Sequence, residues 1–270
     1  MKNSTALITG CSNGIGLHLA GYLADRGYRV YAGVRNLNSR DIPGLKHDNI
    51  RPIELNLTDG ADIKAAVAHI ISKEGRIDHL INNAGFGVSG AIEAVPMSEF
   101  HRQFETNYFG TVALIKEVVP HMRAASSGRI INVSSVVGQM PFPFGGVYSS
   151  SKFALEGMST ALRYELAPFG IDVVIVQPGY IKTNFIGALQ QLNSPVYDQY
   201  EAKFADKANK VRLNLGTTVD ATSKAIYKIM NKKRPKLRYS VGLDVAIGLG
   251  FRRIFGDNII DRILLGQVRK

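Results

Sequence analysis

The chain has 270 residues, 45% of them hydrophobic, enough to bury a full core within one α/β domain. Its single cysteine, Cys11, excludes an internal disulfide framework and a cysteine-based metal cluster, so no metal is expected and a reducing compartment fits. The net charge of +11 is concentrated at one end: residues 1–202 carry 17 basic and 17 acidic side chains, whereas residues 203–270 carry 16 and 5.

Lys2-Asn3-Ser4 leads straight into a short apolar strand without a long apolar run or a small-residue cleavage site, so a cytoplasmic protein is expected. Residues 5–9 read as a buried strand. The following Gly10-Cys11-Ser12-Asn13-Gly14-Ile15-Gly16 opens a helix through Leu17, Leu19, Ala20 and Leu23. Glycines let a backbone turn tightly and approach a pyrophosphate, and a helix N-terminus supplies free N–H groups and positive potential. In strand–loop–helix order this is a dinucleotide site by mechanism. The second strand, residues 28–34, ends at Arg35-Asn36, where an acidic side chain would meet the ribose of NAD. A cation suits a 2′-phosphate instead, which argues for NADP over NAD.

Residues 49–57 supply a third strand, and Thr58-Asp59-Gly60 starts a helix with an N-cap candidate before Ile63, Val67, Ile70 and Ile71. A fourth strand at residues 76–81 ends in Asn82-Asn83-Ala84-Gly85, small and amide residues that permit close backbone approach to a ligand. Residues 96–122 form a long helical pattern interrupted by Asn107, a poor helix former that needs a polar partner if buried. A fifth strand covers 128–133, a helix 147–167 and a sixth strand 171–176, stopped by Pro178-Gly179. The alternation predicts one doubly wound parallel α/β sheet of Rossmann type, helices on both faces, as a single domain over 1–270.

Tyr148 and Lys152 stand four residues apart in the second long helix and so share a face. An ammonium beside a phenol favours the phenolate, so a lowered Tyr148 pKa is expected. Ser135, thirteen residues upstream at the end of the fifth strand, would hold a carbonyl oxygen against Tyr148.

These residues, in this order over roughly 5–185, resemble the short-chain dehydrogenase/reductase superfamily: Thr9 to Gly16 its glycine loop, Asn82 to Gly85 its Asn-Asn-Ala-Gly, and Asn107, Ser135, Tyr148 and Lys152 its catalytic tetrad. Pro178-Gly179 with Thr183 resembles its nicotinamide-side loop. Ser134 competes for the serine role, and the spacing to Tyr148 favours Ser135. Arg35 with Ser12 resembles the NADP-preferring members, near the hydroxysteroid and retinol dehydrogenases. The resemblance implies NADP(H) bound by Gly10, Ser12, Asn13, Gly14, Ile15, Gly16, Arg35, Asn56, Leu57, Asn83, Ala84, Gly85, Tyr148, Lys152, Pro178, Gly179, Ile181 and Thr183. Asn56 departs from the family's usual aspartate at the adenine, though its amide oxygen can accept the same bond.

In the family's mechanism Tyr148 protonates the substrate oxygen that Ser135 orients, Lys152 binds the ribose and lowers the Tyr148 pKa, and Asn107 holds a water. Residues 183–216 resemble a substrate lid. Ser135, Met140, Phe142, Phe144, Tyr148, Tyr180, Phe185 and Leu189 would line an apolar pocket for a steroid, retinoid or similar lipophilic alcohol or ketone. The basic amphipathic tail, residues 232–270, would pack over the domain or touch a membrane surface, and no nucleic-acid motif accompanies it. Family members pair their two long helices, so a homodimer or homotetramer is expected. NAD-linked oxidation of the same alcohols, and a non-catalytic NADP-binding scaffold, are the alternatives.

Overall fold

The computed structural model describes residues 4–37, 43–182, 190–192 and 194–269. In chain order the elements are β1 (Thr5–Thr9), α1 (Gly14–Ala24), β2 (Arg29–Val34), β3 (Ile50–Glu54), α2 (Gly60–Glu74), β4 (His79–Asn82) and β5 (Val88–Ser89). Then come α3 (Met97–Phe104), α4 (Gly110–Ala124), β6 (Gly128–Val133), α5 (Gly146–Leu166), β7 (Ile171–Pro178) and β8 (Gln190–Gln191). Last are α6 (Asp198–Leu215), α7 (Val219–Met230), β9 (Arg238–Val241), α8 (Leu243–Phe255) and α9 (Asp257–Arg269).

The main sheet has seven strands in the order β3-β2-β1-β4-β6-β7-β9, and every neighbouring pair is parallel. Successive side chains on a strand face opposite ways, which divides the core in two. Ala6 and Ile8 of β1 join Leu19 and Leu23 of α1 and Ile226 of α7 on one face. Leu7 joins Ile63 and Ile70 of α2 and Leu114 and Val118 of α4 on the other. Because the chain winds from β1 to β3 and then crosses back to β4, the carboxyl ends of β1 and β4 diverge into a crevice, the place where such sheets hold ligands.

Two sequence readings change. The fourth strand starts three residues later than expected, at His79. The tail is not all appendage: Arg238–Val241 completes the sheet beside β7, and only α8 and α9 lie outside it. Asp244 and Val245 of α8 pack against Gly179, so the start of the tail is built into the domain. Among the described residues no helix is long and apolar enough to cross a membrane.

Candidate active site

The glycine loop and the β4 loop are welded together. Asn83 N and Ala84 N both donate to Thr9 Oγ1, at 3.0 and 2.9 Å, and Asn83 Nδ2 donates to Thr9 O at 2.9 Å. Gly10 has φ +73°, and a Cβ there would stand 2.8 Å from Ala84 Cα. At Gly16 a Cβ would collide with Gly10 O and lie 2.6 Å from Asn83 Nδ2, so only hydrogen fits. Asn13 caps α1 without a side-chain bond, which leaves the first N–H groups of that helix to whatever enters the loop.

Asn107 sits in a π-helical turn, Glu105–Phe109, that joins α3 to α4. The extra residue in that turn rotates its amide inward: Oδ1 accepts from Phe86 N at 3.1 Å, and Nδ2 donates to Phe86 O at 2.9 Å and Ser151 Oγ at 3.2 Å. Ser151 Oγ in turn donates to Tyr148 O at 2.7 Å, so Asn107 ties the β4 loop to α5.

Ser135 and Tyr148 are hydrogen-bonded. Ser135 Oγ also accepts from Val137 N and donates to Pro178 O, both at 3.4 Å, which fixes it between β6 and β7. The competing Ser134 hydroxyl is buried with no partner among the described residues. Lys152 Nζ donates to Val133 O at 2.9 Å and lies 5.8 Å from the centroid of the Tyr148 ring.

The charge balance differs from the sequence expectation. Burial pushes the Tyr148 phenol up to about 12, and it is the Ser135 bond that pulls the other way. Lys152 is pushed down to about 8 by burial, partly offset by the carboxylate of Glu156 one turn further along α5. Desolvation therefore outweighs the proximity of the two side chains.

One cleft of about 1960 Å³ takes in the glycine loop, the β4 loop, Ser135, Tyr148 and Lys152, whereas Asn107 does not line it. Of the predicted cofactor residues, Gly10, Ser12, Asn13, Gly14, Ile15, Arg35, Asn56, Leu57, Asn83, Ala84, Gly85, Tyr148, Lys152, Pro178, Gly179 and Ile181 line it. Gly16 lies beneath the loop, and Thr183 falls outside the described residues. Asn56 Oδ1 accepts from Thr58 N and Thr58 Oγ1, at 3.2 and 2.9 Å, so its amide NH₂ is the group left to face an adenine, not the oxygen expected.

Among predicted substrate residues, Ser135, Phe142, Phe144, Tyr148 and Tyr180 line the cleft. Met140 does not: its methyl packs toward Gly248 of α8. Phe185 and Leu189 lie outside the described residues. Three residues escaped sequence reasoning. Asp244 Oδ2 accepts from Tyr180 N at 2.7 Å and so pins the loop after β7. Glu156, buried in the sheet-facing side of α5, accepts from Gln177 Nε2 at 2.7 Å and Arg238 Nε at 2.8 Å. Glu201, in the first turn of α6, lines the cleft beside Phe204.

Residues 4–193 match the sequence profile of the short chain dehydrogenase family. The chain belongs to that family. It is accordingly an oxidoreductase, and the seven-stranded parallel sheet is the family's fold. It is 39% identical over 249 residues to a 3-ketodihydrosphingosine reductase of Bacteroides thetaiotaomicron, covering 90% of this chain and 89% of that one. An NADPH-dependent 3-dehydrocapnine reductase of Ornithobacterium rhinotracheale is 32% identical, with 98% and 97% covered. Among solved structures, a short chain dehydrogenase of Burkholderia cenocepacia in complex with NADP superposes with a TM-score of 0.78 at 25% identity, covering 97% of this chain and 98% of that one.

Proposed function

We propose that this dehydrogenase is an NADPH-dependent reductase of a lipophilic ketone, with Tyr148 as the proton donor. The observation that carries the reading is the bonded Ser135–Tyr148 pair, set in one cleft between a glycine loop whose Gly10 and Gly16 leave no room for a Cβ and an apolar end walled by Phe142, Phe144 and Phe204. NADP in the Burkholderia complex and NADPH in the name of the Ornithobacterium reductase support the cofactor. The Bacteroides relative's name supports a lipid ketone as substrate.

The residues present fit the dinucleotide: Gly10 and Gly16 let the glycine loop close on the β4 loop, the open N-terminus of α1 would meet the pyrophosphate, Arg35 would meet a 2′-phosphate, and Lys152 would meet the nicotinamide ribose. When bound, NADPH supplies hydride to the carbonyl carbon. Ser135 orients the carbonyl oxygen, and Tyr148, still protonated at neutral pH, gives it the proton. The buried Lys152 places positive charge beneath the phenol as that proton leaves. Following NADPH absorbance over a panel of long-chain ketones tests this reading. A wild type that binds NADPH yet turns over no ketone would favour the non-catalytic scaffold.

Arg35 is exposed at the rim of the cleft, and among the described residues it has no ion-pair partner. Arg35→Ala is expected to weaken NADPH about ten- to a hundredfold and leave NADH nearly unchanged, because only the former carries the phosphate. Cofactor fluorescence titration reads both. Equal weakening of the two would transfer the assignment to NAD.

The outer faces of α4, α5 and their flanking turns leave Phe109, Phe153, Tyr164 and Phe169 between 40% and 69% exposed, which suits a homo-oligomer formed across the two long helices. On the tail, Ile247, Ile254 and Phe255 are exposed beside Arg253, the face that a peripheral membrane contact would use. Sedimentation at micromolar concentration, with and without anionic vesicles, is expected to show an oligomer and co-sedimentation. A monomer that ignores the vesicles would remove both.

A further inference from the structure

Two carboxylates of this chain are withdrawn from water, and the structure treats them differently. Glu156 is 4% exposed and fully compensated: one oxygen takes the Gln177 amide and the other the Arg238 guanidinium. Glu201 is 5% exposed, yet among the described residues its carboxylate has one bond, a 3.2 Å acceptance from Ala91 N, and no cation pairs with it. A carboxylate removed from water is costly unless a cation or several donors compensate it. Glu201 faces the cleft that holds Ser135 and Tyr148, so a molecule in that cleft can bring the missing charge.

What surrounds it also favours a cation. Phe142, Phe144 and Phe204 line the same end of the cleft, with the Phe204 centroid 6.3 Å from each of the other two rings. Aromatic faces carry negative potential and attract ammonium groups, most strongly where water is excluded. Phe144 holds its place at φ +62°, a left-handed conformation that is strained for a bulky side chain. The anchoring is close to the chemistry: Gly90 N donates to Phe144 O at 2.8 Å, the next residue, Ala91, holds Glu201, and Phe144 stands four residues before Tyr148.

We propose that Glu201 and the rings of Phe142, Phe144 and Phe204 form a subsite for a substrate ammonium group, so that the preferred substrate is a long-chain amino ketone rather than a neutral ketone. This rests on the ketone-reductase reading and narrows it. The apolar remainder of the cleft takes the chain, Ser135 and Tyr148 take the carbonyl oxygen, and Glu201 takes an amine a few atoms away.

The test compares a long-chain 2-amino-3-ketone with the plain 3-ketone of equal length, on wild type and Glu201→Gln. Glutamine keeps an acceptor for Ala91 N–H and loses only the charge. Wild type is expected to prefer the amino ketone by about ten- to a hundredfold in kcat/KM, mostly through KM. Glu201→Gln should erase that preference while keeping its rate on the plain ketone. Calorimetry with a long-chain alkylamine and the matching alcohol reads the same subsite without turnover: the amine should bind wild type more tightly and lose that advantage in the variant. Equal handling of both ketones by wild type, or an equal loss on both in Glu201→Gln, would overturn the subsite and leave the reductase intact. If neither ketone is reduced, the reductase reading fails, and an alkylamine that binds no tighter than the alcohol then overturns the subsite as well.

Discussion

Tyr148→Phe is expected to lower kcat for ketone reduction by about a thousandfold while NADPH affinity changes little. The substitution removes one hydroxyl and keeps the ring, which is half-buried on the face of α5 turned to the cleft. What goes is the atom bonded to Ser135, and with it the proton that the substrate oxygen must receive. A phenol held near 12 by burial remains protonated over the whole neutral range, so wild-type Tyr148 is loaded for reduction at any physiological pH. Single-turnover kinetics with prebound NADPH separate the two effects: binding should persist and the chemical step should stop. Turnover within tenfold of wild type would remove Tyr148 from the donor role and leave Ser135 without a purpose in the site.

The parts of this molecule legible in its sequence are those where a residue type can do only one thing. Glycines at 10 and 16 are required because loop and strand backbones meet there, and that requirement shows as spacing. The need of a buried Asn107 for polar partners was legible for a similar reason: an amide inside a helix demands them, and the π turn supplies them from Phe86 and Ser151. β9 escaped because it is short, lies at the sheet edge and buries only one side chain in four, so Arg238–Val241 looks like more of the basic run around it. Glu201 escaped because an acidic residue in the first turn of a helix is ordinary, and only the fold shows that this one points inward. The sign of the Tyr148 shift was misread because sequence reports that Lys152 is near and is silent on how far both are removed from water.

Lys152 carries the second large effect, and pH separates its roles. Lys152→Met is expected to cost about a hundredfold or more in kcat/KM and to weaken NADPH, since it removes the charge beneath the phenol and the ribose donor together. In the wild type the ammonium titrates near 8, so reduction should decline as pH rises through that value while Tyr148 is still protonated. Stability should move the other way. The folded-state pKa lies below the ordinary value of 10.5, so between about pH 8 and 10.5 the unfolded chain holds a proton that the folded chain has released. Raising pH across that window therefore favours the folded state, and below pH 8 the cost of burying the ammonium is fully present. Measured against Lys152→Met, in which the other buried titratable groups remain, wild type should gain about 1–3 kcal/mol between pH 7 and 10. Urea unfolding of the two proteins at both pH values gives that difference, and the kcat/KM profile of wild type gives the other limb. A stability gap that does not change with pH, or a rate flat from pH 7 to 9.5, would show that Lys152 keeps its proton throughout and that burial is not what sets its charge.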